Sequence, residues 1–194
     1  SRDSMSEVAE QLLLTTSRAG LRVAVLLPCY NEQEAIGKVV RDFRQALPEA
    51  IVYVYDNNSR DETRARAAAA GAGGRSETQQ GKGLVVRRMF AGVEADVYVL
   101  VDGDDTYHAP SAPLLVERLL ADQLDMVVGR RVTEIEQAYR PGPRLGNRLL
   151  TGVVARVFGD RFKDILSGYR VFSRRFVKSF PALTKEIEIE TELT

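Results

Sequence analysis

The apolar positions of this chain fall into short uniform runs that alternate with longer stretches of helical spacing. Residues 21–27 are almost wholly apolar and close at Pro28, and residues 51–55, 97–101 and 125–129 are runs of the same kind. Short β-branched and aromatic runs without polar alternation are the pattern of strands buried on both faces. Between them the period changes. In residues 32–47 the apolar residues are Ile36, Val39, Val40, Phe43 and Leu47, which share one helical face. Residues 60–70 are Ala-rich and stop at Gly71, and residues 84–95 and 114–121 also read as helices. Residues 5–18 predict a short helix with Val8, Leu12 and Leu13 on one side, and residues 145–158 an amphipathic one. The five glycines of residues 71–83 predict a loop, as do the Pro and Gly of residues 130–144. Residues 186–194 alternate in character and do not read as the finish of a domain. Helices alternating with short strands predict an α/β fold, a Rossmann-like and mostly parallel sheet flanked by helices.

Length and composition narrow this picture. The 194 residues suit one domain with a sizeable core. The expected division is an N-terminal extension over residues 1–20, whose first four residues look foreign to the domain, and a catalytic domain over residues 21–194. Lys+Arg and Asp+Glu both number 27, so nothing global points to nucleic acid. The balance is uneven locally. Residues 140–175 hold nine Lys or Arg against Asp160 and Asp164, a half suited to receiving an anion. Cys29 and His108 are the only residues of their kinds. Internal disulfides, a Cys-rich zinc site and a His-based triad are thereby set aside. No apolar run reaches ~18 residues, so no spanning helix is expected.

The most informative segment is Asp102-Gly103-Asp104-Asp105-Thr106, directly after the strand of residues 97–101. Like charges this close repel, and a hard divalent cation with oxygen ligands is the usual compensation. In open α/β sheets ligands bind at the carboxyl ends of the strands. The segment therefore suggests a metal held against a phosphate-bearing substrate, with a solvated acidic turn as the plain alternative. Two further places lie at strand ends of that kind, and a third stands at a helix start. After the first strand stands Pro28-Cys29-Tyr30-Asn31-Glu32, without the Gly-x-Gly-x-x-Gly of a dinucleotide fold. There Tyr30 could stack on a base and Glu32 accept from a base or ribose; otherwise it is an ordinary helix start. Asp56 closes the second strand and could pair with a base N–H, or simply open a turn capped by Ser59. Lys82, between Gly81 and Gly83 at a helix start, suits a phosphate or a base carbonyl but lacks the rest of a P-loop.

Taken in order, Val-Ala-Val-Leu-Leu-Pro-Cys-Tyr-Asn-Glu, Val-Tyr-Asp-Asn-Asn-Ser, Gly-Lys-Gly and Asp102-Gly-Asp104 resemble a family 2 glycosyltransferase of GT-A fold. The later Asp164-Ile-Leu-Ser-Gly-Tyr-Arg170-Val-Phe resembles the polyprenyl-phosphate branch, the group of dolichol-phosphate mannose synthase. That resemblance implies that Pro28, Tyr30, Glu32 and Asp56 hold the base and ribose of a nucleoside-diphosphate sugar. It implies that Asp102 and Asp104 hold Mg²⁺ or Mn²⁺ on the donor diphosphate. Thr106 stands where the branch often has Gln, which makes it a weaker third metal contact. Members usually run on further, some into membrane helices, so the chain is expected to be incomplete at its C-terminus.

Arg130, Arg131, Arg140, Arg144 and Arg148 fit the same scheme, because guanidinium groups bind phosphate bidentately. With Lys82 and Arg170 they are candidates for the acceptor phosphate or the leaving diphosphate. A solvated basic face, or an approach to anionic lipid, is the alternative. The implied reaction is sugar transfer with inversion. A phosphate monoester acceptor, with a second pKa near ~6, attacks unaided. A saccharide hydroxyl would need a base, for which Asp164 is the first candidate and Glu190 the second. The expected partners are the donor, and a polyprenyl-phosphate or saccharide acceptor at the cytoplasmic face of a membrane. Two other classes stay open. Asp102-Gly-Asp-Asp-Thr106 also matches the nucleophile loop of haloacid-dehalogenase-like phosphatases, although it follows the third strand rather than the first. The third is a non-catalytic relative that binds a nucleotide sugar.

Overall fold

The computed structural model describes residues 18–103, 107–129, 135–139 and 168–181. Seven strands form one sheet: β1 (Val23–Cys29), β2 (Ile51–Asp56), β3 (Gly73–Ser76), β4 (Val97–Leu100), β5 (Met126–Gly129), β6 (Ile135–Tyr139) and β7 (Tyr169–Ser173). The helices are α1 (Ile36–Ala46), α2 (Thr63–Ala69), α3 (Lys82–Gly92), α4 (Ala112–Ala121) and α5, residues 174–181. A single 3₁₀ turn, Ala109–Ser111, leads into α4. The strand order is β3-β2-β1-β4-β7-β5-β6. β3, β2, β1 and β4 pair in parallel, whereas β7 runs antiparallel to both β4 and β5. β5 therefore points the same way as β4, and the α/β expectation holds with antiparallel strands at β7 and β6.

The central strands β1 and β4 are buried on both faces, which explains their continuous apolar runs. All seven residues of β1 are buried. Successive side chains go to opposite faces. Val23, Val25 and Leu27 join Val97 and Val99 in a core under α1 and α4, together with Ile36, Val40, Phe43 and Leu115. Ala24 and Leu26 join Tyr98 and Leu100 in a second core under α3, with Val86, Met89, Phe90 and Phe180. Tyr98 can be wholly buried because its hydroxyl donates to the Val93 carbonyl at 2.8 Å and accepts from the Ala95 N–H at 3.0 Å.

Four elements depart from the sequence expectation. The predicted loop over 71–83 contains β3, and its Gly-Gly-Arg-Ser strand is exposed throughout. The region read as irregular, 130–144, contains β6. β7 and α5 carry no pattern that announced them. Helix bounds also shift: α2 starts at Thr63 rather than 60, and α3 spans Lys82–Gly92 rather than 84–95, two residues earlier at its start and three at its end. The helices expected over 5–18 and 145–158, and the segment 186–194, lie outside the described residues.

Candidate functional site

The parallel register brings the expected site elements to one edge. Cys29 pairs with Asp56 and Leu26 with Leu100, so β1, β2 and β4 end side by side. The turns leaving them are then tied together by polar bonds. The Asn31 N–H donates to Ser59 Oγ at 2.8 Å, and the Arg60 N–H returns to Asn31 Oδ1 at 3.0 Å. The Glu32 N–H donates to Thr63 Oγ1 at 2.8 Å. These bonds satisfy backbone donors of the turns that precede α1 and α2, while α1 itself has no side-chain cap and its Ile36 N–H bonds the Glu32 carbonyl at 2.9 Å. They hold residues 30–32 in a fixed turn, with Asn31 at a φ of 52°.

A cavity of ≈ 430 Å³ opens at this edge, lined by Pro28, Tyr30, Glu32, Asn57, Lys82, Asp102 and their neighbours Cys29, Gln80, Gly81, Val85 and Gly103. Tyr30 presents a large ring there, 49% exposed, with an apolar face open to the cavity. Across the cavity, Lys82 Nζ forms an ion pair with Asp102 Oδ1. The other oxygen, Asp102 Oδ2, accepts a long 3.4 Å hydrogen bond from the Gly168 N–H. β7 makes that contact possible, because its antiparallel insertion beside β4 sets Leu100 opposite Arg170. Gly103 fixes the turn that carries Asp102. A Cβ there would lie 2.6 Å from Cys29 Sγ, so only glycine lets the turn close onto β1.

The cavity thus gathers five of the residues singled out by sequence: Pro28, Tyr30, Glu32, Lys82 and Asp102. Asp56 takes a different position. It is only 6% exposed and is not among the lining residues. Its Oδ2 accepts from the Ser59 N–H at 3.3 Å, while its buried Oδ1 has no hydrogen-bond partner. A buried carboxylate oxygen without a donor is costly, and marks Asp56 as a group poised for a partner. Arg170 lies in β7 between Leu100 and Val128, half-buried. Asp104, Thr106, Arg130, Arg131, Arg140, Arg144, Arg148, Asp164 and Glu190 lie outside the described residues.

Asn57 is a residue of the site that the sequence alone did not single out. Its Nδ2 donates to the Glu77 and Gln79 carbonyls at 3.1 and 2.7 Å, and its Oδ1 accepts from the Gly81 N–H at 3.1 Å. One buried amide therefore ties the 77–81 loop to the end of β2 and sets where Lys82 begins α3. An amide beside a candidate ligand at a strand end was the available signal.

The donor chemistry at the edge is that of hard oxygen. Among the described residues no three His, Cys, Asp or Glu converge as a metal cluster. Asp102 is nevertheless a carboxylate at the cavity wall, one residue from the Gly103 turn that aims it, and its donor type fits a hard divalent cation.

Comparison with known proteins agrees with this geometry. The model of Glycosyl transferase family 2 matches residues 24–180, and the chain belongs to that family. It is therefore a glycosyltransferase. Protein RfbJ of Shigella flexneri is 54% identical over 123 residues, 63% of this chain and 95% of that protein. In Haloferax volcanii, Glycosyltransferase AglJ is 36% identical over 177 residues, 88% of this chain and 56% of its own length. A Dolichyl-phosphate hexose transferase of the same organism is 28% identical over 155 residues, 80% of this chain and 68% of its own. Among solved structures, glucosyl-3-phosphoglycerate synthase from Mycobacterium tuberculosis, in complex with Mn²⁺, UDP-glucose and phosphoglyceric acid, superposes with a TM-score of 0.58 at 27% identity. That match covers 84% of this chain and 60% of the synthase, so the chain spans little more than half the length of AglJ and of the synthase. Family membership removes the phosphatase alternative.

Proposed function

We propose that residues 21–194 form a catalytic domain that moves a hexosyl group from a nucleoside-diphosphate sugar to a polyprenyl phosphate, with inversion and with Mg²⁺ or Mn²⁺ at Asp102 and Asp104. The observation that carries this reading is the cavity itself. An exposed aromatic ring, a lysine and a strand-end carboxylate line one space. These are the groups that a base, a diphosphate and a hard cation each require.

In this reading Tyr30 stacks on the base, and the unpartnered Oδ1 of Asp56 accepts a base or ribose hydrogen. Lys82 meets the diphosphate. A divalent cation bound to Asp102 and Asp104, with Thr106 as a weaker contact, would neutralise charge growing on the leaving diphosphate. The acceptor side is supported by the Gly168 N–H reaching Asp102, since Gly168 belongs to the stretch that resembles the lipid-phosphate branch. Similarity to a dolichyl-phosphate hexose transferase supports the same class. Arg130, Arg131, Arg144, Arg148 and Arg170 are then the cations for phosphate. The domain would work at the cytoplasmic membrane face by peripheral contact. Among the described residues no helix is long and apolar enough to cross a membrane.

A second reading has an observation of its own. The mycobacterial synthase holds phosphoglyceric acid with its donor, so this fold also accommodates a small phosphorylated acceptor. A saccharide hydroxyl acceptor is the third, with Asp164 as base and Glu190 behind it. The test is transfer of radiolabelled sugar from UDP- and GDP-hexoses to a short polyprenyl phosphate, to phosphoglycerate and to a free oligosaccharide, with Mn²⁺ or with chelator. Metal-dependent product on the polyprenyl phosphate is expected. Arg144→Ala should raise the acceptor KM and leave donor affinity nearly unchanged. Product on the oligosaccharide alone, with Asp164→Asn inactive, would show that a hydroxyl is the acceptor.

A further inference from the structure

The ion pair between Lys82 and Asp102 has a consequence for the order in which ligands enter. Lys82 is the first residue of α3, after Gly81 at a φ of 135°. The positive end of the helix dipole disfavours a cation there. What compensates is the carboxylate of Asp102, 20 residues away in sequence and in direct contact. The backbone on which Lys82 sits is held, because the Gly81 N–H is bonded to Asn57. The side chain is not confined in the same way. It is 42% exposed on a flexible four-carbon stem, and it lines the cavity that Asp102 also lines.

We propose that Lys82 is a built-in counter-ion for Asp102, which a donor diphosphate draws away, so that the cation binds well only together with the nucleotide. This rests on the reading of Asp102 as a metal ligand. A cation arriving alone must take Oδ1 from an ammonium that already neutralises it, and the displaced ammonium then stands beside the new charge. A diphosphate reverses both effects. It offers Lys82 more negative charge than one carboxylate does, and it brings oxygen ligands of its own to the metal. The Gly168 N–H can stay on Oδ2 throughout, holding the carboxylate's aim. Lys82 is therefore a positioning residue in the resting protein and a phosphate ligand in the loaded one.

The experiment is a titration of the protein with Mn²⁺, followed by electron paramagnetic resonance of the unbound ion, without nucleotide and with UDP or GDP. Lys82→Gln should bind Mn²⁺ alone more tightly than the unchanged protein, by about tenfold, between the worth of a screened pair and that of a charge-assisted hydrogen bond. Lys82→Arg, which keeps the charge, should not. The gain should vanish in Lys82→Gln combined with Asp102→Asn. With nucleotide the order inverts, and Lys82→Gln should bind nucleotide and Mn²⁺ less well. Equal Mn²⁺ affinity of Lys82→Gln and the unchanged protein without nucleotide, alongside normal Mn²⁺-dependent nucleotide binding, overturns the counter-ion role alone. Nucleotide binding that ignores both Mn²⁺ and Asp102→Asn overturns the metal site and with it this inference. Lys82 is half in solvent, and matching thermal melts would exclude misfolding as the cause.

Discussion

At the scale of single residues, the site is marked by three local features. Asp56 carries a buried oxygen with no donor, Tyr30 exposes a ring, and Gly103 stands where a Cβ would strike Cys29. An unpaired buried oxygen such as that of Asp56 is where a structure gives up stability for binding. Asp56 offers a direct check. Asp56→Asn removes a buried charge and keeps the shape, so the thermal midpoint should hold or rise. Nucleotide affinity should fall by about 1–3 kcal/mol if Oδ1 accepts from the base or ribose. Calorimetry with UDP and GDP, set beside a thermal melt, reads both quantities. An unchanged affinity for the nucleotide that binds would remove Asp56 from the nucleoside site.

At the scale of elements, the site depends on turns that hold one another rather than on caps within each helix. Neither α1 nor α3 has a side-chain cap, and the bonds come from the neighbouring turn or from Asn57. Asn57→Ala would leave two carbonyls and one N–H of the 77–81 loop without their partner, at a cost of about 1–3 kcal/mol. Because the loss falls on one loop, it should show as local opening. Amide exchange over residues 77–83 should speed up and the donor KM should rise, while exchange in β1 and β4 stays slow. Uniform acceleration across the sheet would mean that Asn57 supports the whole domain instead.

At the scale of the whole molecule, the chain returns to insert β7 between β4 and β5, and α5 locks that return. Arg174 and Lys178 of α5 both pair with Glu94, beyond the C-terminus of α3. The hydrogen bond from Lys178 in particular holds the Glu94 carboxyl below the usual carboxylate range. A depressed carboxylate stabilises the fold at pH above its unfolded value, and that contribution is lost as pH falls through the folded one. The unchanged protein should therefore exceed Glu94→Gln in stability at neutral pH. The gap should close as the solution is taken below the ordinary range for Glu. Urea unfolding of both proteins across pH measures it, and a gap that persists in acid would assign the difference to something other than this charge. The pair lies at the start of β4, away from the cavity at its end, so nucleotide affinity should be the same in both.

What the sequence determined by itself is what short-range physics writes locally. Continuous apolar runs marked β1, β2, β4 and β5, because strands buried on both faces have no polar side to show. The 3.6 spacing of Ile36, Val40, Phe43 and Leu47 marked α1. Turn residues at the strand ends marked Tyr30, Glu32 and Asp102, since the carboxyl edge of such a sheet is where ligands meet, and flanking glycines marked Lys82 at a helix start. Tertiary structure alone decided the rest. β3 is Gly-Gly-Arg-Ser, fully exposed, and is a strand only because β2 offers it hydrogen bonds. β7 is five residues long and includes Arg170 and Ser173, so its place in the sheet follows from pairing with β4 and β5 rather than from any period. That insertion delivers Gly168 to Asp102, and Asn57 delivers Lys82 to it from another direction. Contacts between residues so far apart in the chain have no local signature, because only the packed sheet makes them neighbours.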